Sequence, residues 1–406
     1  MTRKHMQQLK TACREAAWVF GMSRLVFVLV SFVSIFLLPR FIIPYRERLA
    51  WDEPYTVDPY GLKAFFFSWF RWDVKAYVNI SMNGYKHTPD TAFFPLWPFI
   101  QHCAGLLLGD IRPGSYYLAG LLIANLCFYI ALVLFYCLLA EDFEPGLARR
   151  ALIYLTFGPY ALFFFVGYSE SLFVLLCIAC FLLYRRGKPL DWWLAGFLGF
   201  LATLTRSAGL MLAVPYLYIY LQHFWLVPES KHDTWLHKLN ALVPIVLLPA
   251  GIVVYMLFLN VTKGDPFIFQ TMQAVVWQRH FSLPWNTLGA MVNALFTSPS
   301  TVYLALNLID NSFALLPLVV LALGWKRIPL HYALFALALV IFAISFPATD
   351  IVPMISQPRL TIVIFPITVI FAVWGKHPRL HTCFLTLALA LLIVNSILFV
   401  GDIWVS

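Results

Sequence analysis

Long apolar runs alternate with short polar segments along almost the whole chain. The first run covers residues 16–38 and is long enough to cross a hydrocarbon core of about 30 Å as a helix. Ten further runs cover residues 116–140, 151–167, 172–184, 192–205, 209–227, 242–260, 303–323, 331–346, 360–374 and 382–400. This pattern predicts an all-α polytopic membrane protein, with about 11 transmembrane helices in one domain over residues 1–406.

Residues 93–109 do not fit the pattern of a plain span. Pro95, Pro98 and the polar pair Gln101-His102 interrupt the apolar run, so a short or re-entrant helix is predicted. If this segment re-enters, alternation places the short basic loops in the cytoplasm, as the positive-inside rule requires. The N-terminus, which is basic before the first span, is then cytoplasmic, and the first run is an anchor rather than a cleaved signal.

The same alternation predicts what faces the outside. Residues 39–91 form a large first outer loop with interfacial helices, including one at 61–70, and residues 261–299 form a second outer loop. Short polar segments between later runs fall on the same face. We therefore expect one cavity that faces away from the cytoplasm.

Composition supports this assignment. The chain is 61% hydrophobic and 12% charged, far from the values of about half and a quarter in soluble domains. The net charge of +9 sits mostly at the ends of apolar runs, which favours membrane orientation over nucleic-acid binding. Cys177 and Cys180 have metal-site spacing but lie inside an apolar run, so they are predicted to be small buried residues.

A carboxylate near the membrane surface is the first chemical candidate. Asp73, beside Trp72, lies in the polar segment 70–85. It suits a general base that takes a proton from a sugar hydroxyl. Two alternatives stay open: a divalent cation held with Asp52 or Asp58, and a structural cap at the start of a helix.

Three ionisable residues lie between later apolar runs. They are Glu170, Arg206 and Arg359. Placing an ionisable side chain at membrane depth costs free energy, so these residues are functional candidates. The alternative is an ion pair that joins helices.

The second outer loop adds an aromatic and basic cluster, Trp277, Arg279 and His280. A Trp face stacks on sugar rings and an Arg fork binds phosphate oxygens. An amphipathic surface helix is the alternative. The chain has no Gly-rich phosphate loop, no Gly-x-Ser-x-Gly elbow, no zinc motif and no Asp-x-Asp pair. This absence favours a lipid-phosphate sugar over a nucleotide sugar as donor.

Several short blocks, in order, resemble the PIG-V family, the GPI mannosyltransferase 2 group. They are Arg71-Trp-Asp73 with Tyr77, Gly84-Tyr85, residues 93–98, Tyr168 to Phe173, Arg206-Ser207, the 264–285 loop and Pro358-Arg359. Leu360 stands where an aromatic is expected. The resemblance implies a GT-C type glycosyltransferase fold, an outer-face active site and inverting transfer of mannose from polyprenyl- or dolichyl-phosphate mannose. The short loops favour a bacterial plasma-membrane protein.

The resemblance implies that Asp73 is the catalytic base, and Glu170, Arg206 and Arg359 match positions of the family. From the residue pattern and the resemblance together, the expected substrate-binding residues are Asp52, Trp72, Tyr168, Glu170, Arg206, Trp277, Arg279, His280 and Arg359. The expected partners are a lipid-phosphate sugar donor, a glycan or glycolipid acceptor and membrane lipids, but no nucleic acid. No cofactor is expected, with a divalent cation left open. The alternative function is a flippase or transporter of a lipid-linked sugar or polyisoprenoid, which would favour internal repeats that the sequence lacks.

Overall fold

The computed structural model describes residues 3–41, 65, 67–109, 113–226 and 234–405, and these ranges contain helices and connecting loops but no strand. The all-α fold class is confirmed. The α-helices are α1 (Arg3–Phe41), α2 (Asp73–Asn83), α3 (Leu96–Leu107), α4 (Pro113–Asp142), α5 (Pro145–Thr156), α6 (Glu170–Arg186), α7 (Pro189–Thr205), α8 (Ala213–Leu221), α9 (Trp235–Leu242), α10 (Leu247–Lys263), α11 (Ile268–Val276), α12 (Pro284–Thr297), α13 (Thr301–Gly324), α14 (Leu330–Ile344), α15 (Gln357–Thr361), α16 (Phe365–Trp374) and α17 (Pro378–Val400).

Within these ranges, five helical segments are long and apolar enough to cross a membrane. They are Met6–Ser34, Pro113–Asp142, Trp235–Lys263, Thr301–Arg327 and Pro378–Val400. Two shorter apolar helices, α14 and α16, accompany them. The chain is an integral membrane protein. The total number of spans, the orientation and the bacterial plasma membrane stay predictions.

Three runs that the sequence suggested as single spans are divided. α5 ends at Thr156, and a 3₁₀ turn, Ala161–Phe164, replaces the rest of that run. The Gly158-Pro159 pair lies at the break, where proline lacks the N–H that a continuing helix needs. A 3₁₀ segment, Ser207–Leu212, interrupts the 209–227 run, and residues 360–374 divide between α15 and α16.

Helix α3 agrees with the prediction of a short helix in residues 93–109. It has 12 residues, about 18 Å of length, and cannot cross a 30 Å core alone. It packs against α4, where the Gln101 side-chain amide donates to the Tyr116 carbonyl at 2.9 Å. This contact explains why a polar residue is buried in an apolar segment.

Helix α6 lies at the centre of the bundle, packed against both α4 and α7. Cys177 and Cys180 are buried in it, as predicted. Glu170 begins this helix and Arg185 lies near its other end, about 22 Å away at the helical rise of 1.5 Å per residue. At that far end Arg185 pairs with Asp142 and Glu141. The ion pairs at Glu170 and at Arg185 are therefore separated by most of the helix.

The contact between α7 and α10 depends on small residues. A Cβ added at Gly251 would lie 2.1 Å from the Thr203 hydroxyl oxygen and 2.6 Å from the Phe200 carbonyl oxygen. The Thr203 hydroxyl also donates to the Leu248 carbonyl at 2.8 Å across the same contact. Close approach of the two backbones thus fixes the end of α7, immediately before Arg206.

We expect Gly251→Ala to lower the free energy of unfolding by about 1–3 kcal/mol, because the added methyl group must push the two helices apart. Thermal unfolding of the purified protein in detergent measures this loss. Gly289→Ala is the matched control, because no heavy atom lies within 4 Å of its added Cβ. Equal melting temperatures for both variants would show that α7 and α10 separate without cost.

Candidate active site

A cavity of about 800 Å³ lies where α2, α7, α11, α14 and α15 meet. One part of its wall is polar and carries Asp73, Arg206, Arg279, His280 and Arg359. The apolar part is formed by Leu210, Ile252, Phe269, Leu339, Phe342 and Val363. The cavity therefore combines a charged region with a hydrophobic one, which suits an amphipathic ligand.

Asp73 is the first residue of α2, and its carboxylate lines the cavity. Its Oδ2 accepts a hydrogen bond from Nη1 of Arg359. Its backbone N–H donates to the Tyr168 hydroxyl at 3.3 Å. Trp72 precedes it with a φ of 49°, and no side-chain cap is present at that helix start. The Asp73 side chain therefore bonds to Arg359 rather than capping the helix. Its negative charge in the first turn also interacts favourably with the helix dipole.

Glu170 begins α6 and is fully buried. Its Oε1 accepts from Arg206 Nη1 at 2.5 Å and from Arg359 Nε at 2.5 Å. A buried carboxylate is costly unless cations and hydrogen bonds compensate it, and here two guanidinium groups do so. Glu170 does not line the cavity, but it holds two arginines that do.

Arg359 contacts both carboxylates through different edges of its guanidinium group. Nε faces Glu170 and Nη1 faces Asp73. The group also lies over the Tyr168 ring, 4.5 Å from its centroid, so the ring supports the cation. The rigid, planar guanidinium group directs a separate nitrogen at each carboxylate, whereas an ammonium group has only one nitrogen and no fixed fork.

Arg279 lies across the cavity on the loop between α11 and α12. Its Nη1 donates to the Phe346 carbonyl at 3.1 Å and its Nη2 to the Ile355 carbonyl at 2.6 Å. Desolvation by burial lowers its pKa to about 10, so the side chain stays protonated near neutral pH. Both hydrogen-bond acceptors are neutral, and they fix a cation beside the cavity without neutralising it.

Trp277 and His280 come from the same loop and line the cavity. The Trp277 ring meets Phe93 edge to face at 5.5 Å. Gln273, which also lines the cavity, donates to the Ala92 carbonyl at 3.1 Å and so joins α11 to the segment after α2. The predicted second outer loop thus forms a wall of the cavity.

The structure separates the other predicted site residues from the cavity wall. Trp72 packs against Trp404, with ring centroids 4.9 Å apart, and Tyr168 lies under Arg359. Neither residue lines the cavity, nor does Glu170, but Tyr168 and Glu170 contact Arg359, which does. Asp52 lies outside the described residues, as do the rest of residues 42–64 and residue 66, which include half of the predicted 61–70 helix.

Sequence reasoning assigned no role to several lining residues. Tyr77 lines the cavity, and its hydroxyl donates to Ser169 Oγ at 3.2 Å. Gln270 and Gln273 line it as well. The signal for the two glutamines was available, because a spacing of three places them on one face of α11. Tyr77 stands in the first block of the family resemblance, but its residue type indicated no role, since one Tyr in a short helix is most often a packing residue.

The residues that the structure describes contain no group of three or more His, Cys, Asp or Glu side chains that could hold a metal ion. Asp52 and Asp58, the cation ligands considered with Asp73, lie in the undescribed segment.

Comparison with known proteins gives a family match. Residues 20–260 match the family described as Mannosyltransferase (PIG-V). GPI mannosyltransferase 2 of Schizosaccharomyces pombe is 28% identical over 258 residues, which are 59% of this chain and 53% of that protein. GPI alpha-1,6-mannosyltransferase 2 of Cricetulus griseus is 31% identical over 156 residues, 35% of this chain and 29% of that protein. The chain thus matches about half or less of the length of these relatives.

Among solved structures, the apo oligosaccharyltransferase of Archaeoglobus fulgidus is 14% identical, with a TM-score of 0.38, and the match covers 94% of this chain and 55% of that one. The same archaeal enzyme, AglB, in complex with an inhibitory peptide and a dolichol-phosphate gives the same identity and TM-score. A TM-score of this size assigns neither fold nor ligand to this chain.

Proposed function

The chain belongs to the PIG-V mannosyltransferase family, and we propose that it transfers mannose, or a similar hexose, from a polyprenyl-phosphate sugar to an acceptor hydroxyl at the outer membrane face. The GT-C architecture is the one that this family implies. The observation that carries the proposal is the cavity in which Asp73 faces Arg206, Arg279 and Arg359 next to an apolar wall.

Asp73 acts as the general base in this proposal. Its carboxylate takes the proton of the acceptor hydroxyl while that oxygen attacks the anomeric carbon of the donor sugar. The bond between the anomeric carbon and the phosphate oxygen breaks, and polyprenyl phosphate leaves with the electron pair. A single displacement inverts the configuration at the anomeric carbon.

The arginines balance the charge of the donor. Arg206, Arg279 and Arg359 line the same cavity, and guanidinium groups bind phosphate oxygens through paired N–H donors. Negative charge grows on the phosphate as the sugar bond breaks, so fixed cations stabilise the transition state more than the ground state. The prenyl chain lies along the apolar wall of the cavity.

The loop carrying Trp277 and Gln273 recognises the sugars. A Trp face stacks on a sugar ring, and a Gln side-chain amide both donates to and accepts from hydroxyl groups. Both residues line the cavity beside Arg279. The acceptor is a glycan or glycolipid that reaches Asp73 from the outer face. The named relatives are GPI mannosyltransferases.

Incubation of the purified protein with labelled polyprenyl-phosphate mannose and extracted membrane glycolipids tests the proposal. Label bound covalently to a glycolipid supports mannose transfer. The same components reconstituted in lipid vesicles distinguish the flippase alternative. Movement of the labelled donor between leaflets without any new glycolipid would replace the transferase proposal with a transport function.

Arg279→Gln is expected to raise the KM for the lipid-phosphate donor by about 10-fold to 100-fold, because a charge-assisted hydrogen bond to phosphate is lost. Steady-state kinetics at varied donor concentration measure this effect. Arg379→Gln, an exposed arginine that does not line the cavity, is the matched control. An unchanged KM in Arg279→Gln would exclude Arg279 from the phosphate site.

A further inference from the structure

The charged cluster contains a conflict between the residues that the proposed reaction needs. Arg359 Nη1 is bonded to Asp73 Oδ2. In the proposed reaction, the Asp73 carboxylate must accept a proton and Arg359 must bind the donor phosphate. In the structure, the two groups engage each other instead.

The two carboxylates do not hold Arg359 in the same way. Glu170 is fully buried and holds the Nε edge, together with Arg206. Asp73 has a side chain that is 19% exposed, and it lines the cavity. Glu170 is therefore a fixed partner that keeps the guanidinium group in place, while the partner of Nη1 is open to exchange from the cavity. The Tyr168 ring beneath the cation adds to that fixed support.

We propose that Asp73 is a built-in competitor of the donor phosphate for Arg359, so that donor binding is the event that frees the base. This inference rests on the proposed function. A phosphate group entering the cavity takes over Nη1 of Arg359 and releases Oδ2 of Asp73. The released carboxylate then faces the acceptor hydroxyl. After transfer, polyprenyl phosphate leaves, Asp73 gives up its proton to solvent, and the pair with Arg359 forms again.

This exchange orders the reaction. Without donor, Arg359 is bonded to Oδ2 of Asp73 and balances the charge of that carboxylate. With donor bound, Arg359 neutralises the phosphate, which is the leaving group, and no longer neutralises Asp73, which is the base. Glu170 is a positioning residue in this scheme, because it acts on the reaction only through Arg206 and Arg359.

Binding of polyprenyl phosphate, which lacks the sugar, tests the competition without any chemistry. We expect Asp73→Asn to tighten its binding by about tenfold, because the neutral amide competes poorly for the guanidinium group. Arg359→Gln is expected to weaken binding. In the double variant, Asp73→Asn gives no further tightening, because the contested cation is absent.

Three further measurements test whether the tightening is specific to the pair of Asp73 and Arg359. Binding of neutral polyprenol is expected to be equal in all variants. In an Arg279→Gln background, Asp73→Asn is expected to keep its full tightening, because Arg279 bonds to carbonyl groups and not to Asp73. If Arg359→Gln does not fold, Arg359→Lys replaces it. The single nitrogen of a lysine cannot occupy the Nε and Nη1 positions at once, so with Glu170 as its fixed partner the tightening is expected to fall below about twofold.

Two results would overturn the inference. One is equal affinity of Asp73→Asn and the parent protein for polyprenyl phosphate. The other is a tightening that persists in the Arg359→Gln background, which would indicate general charge repulsion. Transfer assays separate this inference from the proposed function. Loss of transfer in Asp73→Asn without tighter binding rejects only the competition, whereas continued transfer rejects Asp73 as base.

Discussion

Asp73→Asn is expected to lower mannose transfer by about 100-fold or more while the protein stays folded. An asparagine has the same shape and its oxygen still accepts a hydrogen bond from Arg359, but it cannot take a proton from the acceptor hydroxyl. General-base catalysis by a positioned side chain contributes about 10²–10⁴ to the rate, which sets the size of the loss. Initial rates with labelled lipid-phosphate mannose at saturating donor measure it.

Asp265→Asn is the matched control for that experiment. Asp265 lies in the loop between α10 and α11, where its carboxylate accepts from the Phe267 backbone N–H at 2.8 Å, and it does not line the cavity. The control is expected to keep the parent rate within about twofold, since an asparagine oxygen replaces that hydrogen bond. If Asp73→Asn and Asp265→Asn transferred mannose equally well, Asp73 would not be the base.

The second large effect concerns stability. Glu170→Gln is expected to lower the free energy of unfolding by about 3–5 kcal/mol, because two guanidinium groups lose the buried charge that compensates them. The glutamine carbonyl oxygen still accepts hydrogen bonds, but it carries no charge. Thermal or chemical unfolding in detergent measures the loss, and residual folded protein is expected to have little transfer activity.

Glu144→Gln provides the comparison at the surface. Glu144 pairs with Arg150 at 3.4 Å and has a side chain that is 56% exposed. Exposed pairs contribute about 0–1 kcal/mol, so this variant is expected to unfold almost like the parent. A Glu170→Gln protein that unfolded at the same temperature as Glu144→Gln would show that Glu170 does not hold the arginines in place.

The hydrophobic pattern predicted the helices well wherever a run was long and free of proline, as in α4 and α17, and also in α13, which continues through Pro317. It did not predict the breaks after Thr156 and around Ile362. Both breaks lie in runs that are apolar throughout, so the pattern alone does not show them. The breaks lie instead beside Gly158-Pro159 and Pro366. The chain after the first break leads into Tyr168, and the helix before the second break contains Arg359.

The convergence of polar residues was predictable and their pairing was not. An ionisable residue at membrane depth is costly, so Glu170, Arg206 and Arg359 were expected to share one polar cavity. The choice of partners depends on packing between distant segments. Arg359 lies 189 residues from Glu170 and 286 residues from Asp73 along the chain. No spacing rule reaches that far, and the burial of Glu170 behind the two arginines follows only from the fold.

The most direct test compares two mannose donors on the same purified protein in lipid vesicles. One is polyprenyl-phosphate mannose and the other is a nucleotide-linked mannose, each carrying the same label. A site built from fixed arginines and an apolar wall predicts that label enters glycolipid from the lipid-phosphate donor and not from the nucleotide donor. Efficient transfer from the nucleotide donor, with none from the lipid-phosphate donor, would contradict this account of the cavity.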